Sequence, residues 1–136
     1  MEHFLYQNGL LVSYWDTSFS DHNESVHPGI GEVLPIDSHP NPIYKLDGTP
    51  WRGRIQTYDA PFSLEKADSF TLHDNGAASY IRGQAAVPTF DDRKQFWNAT
   101  QPTVGVKVPH AGVRMRVVSA DGTSMRIRID STTPAQ

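Results

Sequence analysis

An all-β fold, an antiparallel β-sandwich of jelly-roll or immunoglobulin-like kind with long loops and little helix, is the class that three observations predict. Ten glycines and ten prolines punctuate 136 residues, which leaves little room for helices of ordinary length. The apolar stretches between them are short and mostly alternate with polar positions, the period of a strand with one face on solvent. Asp47-Gly48, Asn75-Gly76 and Asp121-Gly122 supply turn dipeptides between such stretches. The length suits one compact domain over residues 1–130, with residues 131–136 as a disordered tail.

The first strand is expected at residues 10–15. Leu10, Leu11, Val12, Ser13, Tyr14 and Trp15 are apolar on both alternate sets, which predicts a central strand buried on both faces. An oxygen-rich loop over residues 16–23 follows, and a second strand over residues 33–36 ends in Asp37-Ser38-His39-Pro40. Residues 41–51 read as loop and turn. Residues 52–58 alternate as a half-exposed strand, and residues 63–67 hold the only helical propensity, a single turn at most. Two short strands, residues 69–73 and 79–82, are joined through Asp74-Asn75-Gly76 as a hairpin. Residues 85–102 read as loop, and residues 105–108, 113–119 and 125–130 as strands.

In the last hairpin Val113, Met115 and Val117 alternate with Arg114 and Arg116, and Met125, Ile127 and Ile129 with Arg126 and Arg128. Each strand therefore has an apolar and a basic face. A two-residue turn at Asp121-Gly122 would set Val117 against Arg126. A three-residue loop with a left-handed Gly122 pairs Val117 with Met125 and Met115 with Ile127, and is preferred. In that register Arg116 opposes Arg126 and Arg114 opposes Arg128, so Glu65, Asp68 or Asp130 is expected between them.

A net charge of −3 provides no general field for nucleic acid or an anionic membrane, and no apolar run is long enough to span a bilayer. The absence of cysteine removes disulfides, Cys-based zinc sites and Cys–His nucleophiles. No signal peptide opens the chain, so an exported protein would carry this segment inside a longer precursor.

His22, His27, Asp37 and His39 are candidate ligands for a divalent metal, since imidazole with carboxylate suits zinc. Their spacing is unspecific. His27 and His39 each precede a proline, which biases them to extended backbone on loop rims, where a structural hydrogen bond is the common fate. Asp16, Asp21 and Asn23, or Asp91 with Asp92, would suit calcium better, although no D-x-D-x-D-G loop is present. No H-E-x-x-H, G-x-S-x-G or P-loop occurs, and no cofactor is required by any residue pattern. Trp15, Trp51 and Trp97 could stack sugars, yet tryptophan more often packs in a core.

The blocks YQNGLLVSYWDTSFSDHNESVHPGIGEVLPIDSHPNPIY, WRGRIQTYDAPFSLEKADSFTLH, SYIRGQAAVPTFDD and GVKVPHAGVRMRVVS resemble, in the same order, the C-terminal region of secreted bacterial metallopeptidases of the immune inhibitor A family. The resemblance spans residues 6–130. That family's zinc sits on an upstream H-E-x-x-H, which this chain lacks, so no catalytic residue carries over. What the resemblance implies is a non-catalytic, secreted all-β segment whose partner is the catalytic domain of a parent metallopeptidase, or which helps to hold protein substrate, with zinc only in that parent domain. The alternatives are a stand-alone carbohydrate- or protein-binding module and, more remotely, a small hydrolase with a His/Asp metal site.

Overall fold

The computed structural model describes residues 5–45, 47–50, 58–74 and 76–132. Nine strands form four antiparallel sheets, and no helix occurs among the described residues. β1 (Val12–Trp15) pairs with β2 (Val33–Ile36), and β3 (Phe70–Asp74) with β4 (Ala77–Ile81). β5 (Thr89–Asp91), β8 (Val113–Asp121) and β9 (Ser124–Ser131) form a three-stranded sheet in the order β5-β8-β9, and β6 (Phe96–Trp97) pairs with β7 (Gly105–Val106). The all-β, antiparallel expectation holds. The expected strand at residues 52–58 lies outside the described residues apart from Tyr58.

The core gathers one face from each of several elements. Val12 pairs with Ile36 and Tyr14 with Leu34, so these four share a face of the ribbon; Val12, Leu34 and Ile36 are buried with Phe62, Phe90, Phe96 and Val106. Phe62 is fully buried, its ring edge-on to Phe90 and Phe96 at 5.7 and 6.1 Å. Burying each such side chain contributes about 1.5–3 kcal/mol. A two-bond backbone bridge from Leu10 to Phe62 fastens the start of β1 beside this ring. On the other hairpin, Leu72 and Ile81 are buried, and Tyr58 packs edge-on against Phe70 at 4.6 Å.

Four expectations are corrected. β1 is not buried on both faces: Leu11 is 39% exposed and Trp15 68%. Among the described residues it has one strand partner, and the face carrying Leu11, Ser13 and Trp15 is exposed. The stretch read as loop, residues 85–102, holds β5 and β6, whose few residues give no visible alternation yet insert Phe90 and Phe96 into the core. Residues 63–67 form bends and an isolated bridge rather than a helical turn. There the Ala67 N–H and C=O are spent on Gln84.

The last hairpin follows neither register weighed from sequence. Gly122 and Thr123 form a two-residue connection between paired Asp121 and Ser124, with Gly122 left-handed at φ 55°. A bulge in β8 at Val118 shifts the pairing, so Val117 faces Ile127, Met115 faces Ile129, Arg116 faces Arg128 and Arg114 faces Asp130. Inserting the extra residue mid-strand keeps apolar against apolar without a longer loop. β9 runs to Ser131, and the Thr132 N–H donates to the Gly112 carbonyl.

Candidate functional site

Apart from Asp91 and Asp92, the chain's candidate ligands divide between two places. The first is the end of β2, where Asp37, Ser38 and His39 meet residues 59–61. Asp37 and Asp59 are buried at 8% and 2%, and one ligand atom from each of Asp37, His39 and Asp59 lies within 4.8 Å of the others. This is the one such group of three among the described residues. The Asp37 carboxylate accepts the His39 N–H at 2.8 Å, the Asx turn that Asp-Ser-His-Pro favours. Ser38 donates its N–H to the Ala60 carbonyl, and its hydroxyl lies 2.9 and 3.1 Å from the carbonyls of Asp59 and Pro61.

His39 spans the knot. Its Nδ1 is 2.9 Å from the Asp59 carbonyl oxygen and 3.7 Å from the Asp59 carboxylate, and its Nε2 is 2.7 Å from the Ala85 carbonyl oxygen. The ring thus ties together three segments distant in sequence. Taking up a metal would require it to release one of these bonds. Burial, and then the carboxylates of Asp59, Asp68 and Asp37, raise the Tyr58 hydroxyl above its ordinary range. Burial and Asp37 do the same, to a smaller degree, to Tyr6.

The second place is the loop between β1 and β2. Asp16 accepts from the Ser18 N–H and hydroxyl, Asp21 from the Asn23 N–H, and the Asn23 side chain from the Ser25 N–H. The three proposed calcium ligands are therefore each engaged in a turn of their own. His27 links them inward, with Nδ1 2.5 Å from the Ile30 carbonyl oxygen and Nε2 2.7 Å from Asp21 Oδ1. The Ile30 carbonyl, then Asp21, raise the His27 pKa, while the Asn23 N–H and His27 lower that of Asp21. His22, in the same loop, is exposed; it is outside the Asp37–His39–Asp59 group and adds only a small charge effect that lowers the Asp21 pKa. Burial pushes the Glu24 carboxyl up to about 7, and its Oε1 is buried with no hydrogen-bond partner. Gly29 anchors the loop: at φ 79° it lies so close to Trp97 that an added Cβ would come within 2.6 Å of the ring, and Lys107 covers that ring at 4.2 Å from its centre.

Asp91 and Asp92 diverge. Arg93 grips Asp91 through Nε and Nη2, at 3.0 and 2.6 Å, and lowers its carboxyl pKa to about 2. Asp92 Oδ2 accepts the Val113 N–H at 2.8 Å. Sequence reasoning missed Ser38, Asp59, Ala85 and Glu24. Nothing in spacing points to them, because their roles depend on contacts across roughly twenty to forty-six positions or on local burial.

Fold and site define an all-β domain whose buried polar side chains are engaged in holding loops, the Ser38 hydroxyl, which also lies 3.0 Å from His39 Nδ1, included. The chain belongs to the family of the immune inhibitor A-like metallopeptidase VEG domain, which residues 1–128 match. It is 34% identical over 125 residues to immune inhibitor A of Bacillus thuringiensis subsp. alesti. That match takes in 88% of this chain and 18% of the relative. The pre-pro-metalloprotease PrtV of Vibrio cholerae serotype O1 (strain M66-2) is 28% identical over 116 residues, with 84% of this chain and 13% of the relative covered. The chain thus spans less than a fifth of the length of these relatives, and is homologous to one region of each.

Proposed function

We propose that this chain is a non-catalytic domain of a secreted zinc metallopeptidase, whose work is to pack on and steady the catalytic domain and to help present protein substrates to it. The observation that carries the reading is the family match over residues 1–128 in a chain with no H-E-x-x-H and no cysteine. Zinc belongs to the parent catalytic domain: the polar knot does gather Asp37, His39 and Asp59, but both carboxylates are buried and both His39 ring nitrogens are engaged with backbone carbonyls, which leaves no open position of the kind zinc hydrolysis needs. The purified chain is expected to leave casein and gelatin intact with zinc present. Chelator-sensitive turnover by the pure chain would overturn the reading. So would a parent metallopeptidase that keeps its thermal half-life and its casein turnover when this segment is deleted.

A second reading, a carbohydrate-binding module, is favoured by Trp15, which stands 68% exposed on the solvent face of β1. A flat indole in that position can stack on a sugar ring. Quenching or enhancement of tryptophan fluorescence by a polysaccharide, lost in Trp15→Ala, would support it.

A further inference from the structure

We propose that the outer edge and apolar face of β9 are where this domain meets the rest of its metallopeptidase, and that the segment seated there is an extended strand alternating apolar and acidic residues. The inference rests on the reading above, and names the contact that reading requires.

The apolar face of the three-stranded sheet runs off the edge of the domain. Phe90, Met115 and Ile129 form one cross-strand row, in which Phe90 is 5% exposed, Met115 half-buried and Ile129 68% exposed. Beside it Val117 is 1% exposed while its partner Ile127 is 36% exposed. Core and exposed edge are one continuous surface, so a partner lying on Ile127 and Ile129 would extend this domain's own core.

β9 also has an open backbone. It is an eight-residue edge strand without proline, glycine or bulge, and no strand among the described residues pairs its outer side. Such edges usually carry a guard against stray pairing. The guard here is charge alone. Residues 113–131 hold four arginines against two aspartates in a chain of net charge −3. Asp130 engages Arg114 and Arg128, at 3.3 and 3.0 Å; Arg116 and Arg126 have no ion-pair partner among the described residues.

Charge selects the occupant. Pairing two copies of β9 over most of its length, with apolar against apolar, sets Arg126 against Arg128, or Arg128 against itself with Arg126 facing an Asp130 that Arg114 and Arg128 already engage. These contacts would add to the Arg116–Arg128 opposition already inside the hairpin. A strand with Asp or Glu at every second position meets the arginines with opposite charge and lays its alternate apolar residues beside Ile127 and Ile129. Main-chain pairing would supply affinity and the two faces specificity.

The test measures binding of the purified chain to the H-E-x-x-H-bearing polypeptide of its own metallopeptidase, expressed without this segment. The wild-type chain is expected to bind. Ile129→Asp and Arg126→Glu should each weaken binding by at least about tenfold, while Tyr80→Ser, at an exposed position of β4, should leave it unchanged; melting curves confirm that each variant folds. Absence of any binding by the wild-type chain would overturn both the reading and the inference. Binding unaffected by Ile129→Asp and Arg126→Glu would overturn the inference alone. A fluorescent peptide alternating Glu and Ile should bind the chain and compete with that polypeptide, and one alternating Lys and Ile should not; equal binding of both peptides would refute the acidic partner. Dimerisation of the chain in sedimentation, abolished by Ile129→Asp, would assign the edge to a second copy and likewise refute it.

Discussion

The ribbon of β1 and β2 and the hairpin of β8 and β9 are both antiparallel pairs with one apolar face, and they stand in opposite relation to the core. In the ribbon, Val12 and Ile36 face each other and are 7% and 1% exposed. In the hairpin, Met115 faces Ile129, and the pair passes from half-buried to 68% exposed across a single strand spacing. The ribbon is short, but Phe62, Phe90 and Phe96 cover its apolar face. The hairpin is twice as long, interrupted only by the Val118 bulge, and among the described residues no strand covers the outer side of β9. Apolar patterning marks the face that wants cover; what cover exists is decided by neighbours elsewhere in the chain.

The sharpest way to break this contrast is at the ring that covers the ribbon. Phe62→Ala should cost about 3–5 kcal/mol, read from denaturant midpoints, because it removes a fully buried ring that touches two others. Next comes the matched pair of isoleucines. Ile36→Ala is expected to lose about 2–5 kcal/mol, and Ile129→Ala less than about 0.5 kcal/mol in the isolated chain. Equal losses would erase the difference between the two regions. Ser38→Ala, at the ribbon's end, should cost about 1–3 kcal/mol by stripping a buried hydroxyl from the Asp59 and Pro61 carbonyls.

The smallest effect tests the loop that the ribbon carries. Glu24 holds its proton up to about 7 in the folded chain, against an ordinary value of 4.5. Between those values the folded state binds more protons than the unfolded state, so stability falls as pH rises through the window. His27, with its pKa also raised, contributes stability below its ordinary value that is lost as pH rises through the folded value. Asp91, held near 2, works the other way, and its contribution is lost only as pH falls below the ordinary carboxylate range. Glu24→Gln should therefore flatten the melting temperature between about pH 5 and 7.5, by about 1–3 °C given its partial exposure. An unchanged slope would show that Glu24 ionises normally.

Much of the fold was legible because it rests on local chemistry. The β3–β4 hairpin follows from Asp74-Asn75-Gly76, and the two faces of β8 and β9 from strict alternation. Asp37-Ser38-His39-Pro40 announces a turn, and the family blocks carry the kinship. The misreadings have a common cause. Leu10 to Trp15 is apolar on both sets, yet a strand is buried on two faces only if layers exist on both, and that is a property of distant residues. β5 and β6 are too short to show a period, and their burial comes from Phe62. The Val118 bulge shifts one residue, a choice settled by pairing energies along the whole hairpin rather than by the turn sequence.

The sequence by itself determined the β class, the position of most strands, the two-faced character of the last hairpin, and membership of a metallopeptidase family without that family's zinc motif. Those properties depend on side-chain period, turn chemistry and residue identity, all of which are local. Tertiary structure alone decided which apolar face became core. It brought Asp59 and Ala85 to His39, lifted the Glu24 carboxyl, and left Ile127 and Ile129 at an open edge, because burial and dielectric are set by atoms that approach only after the chain has folded.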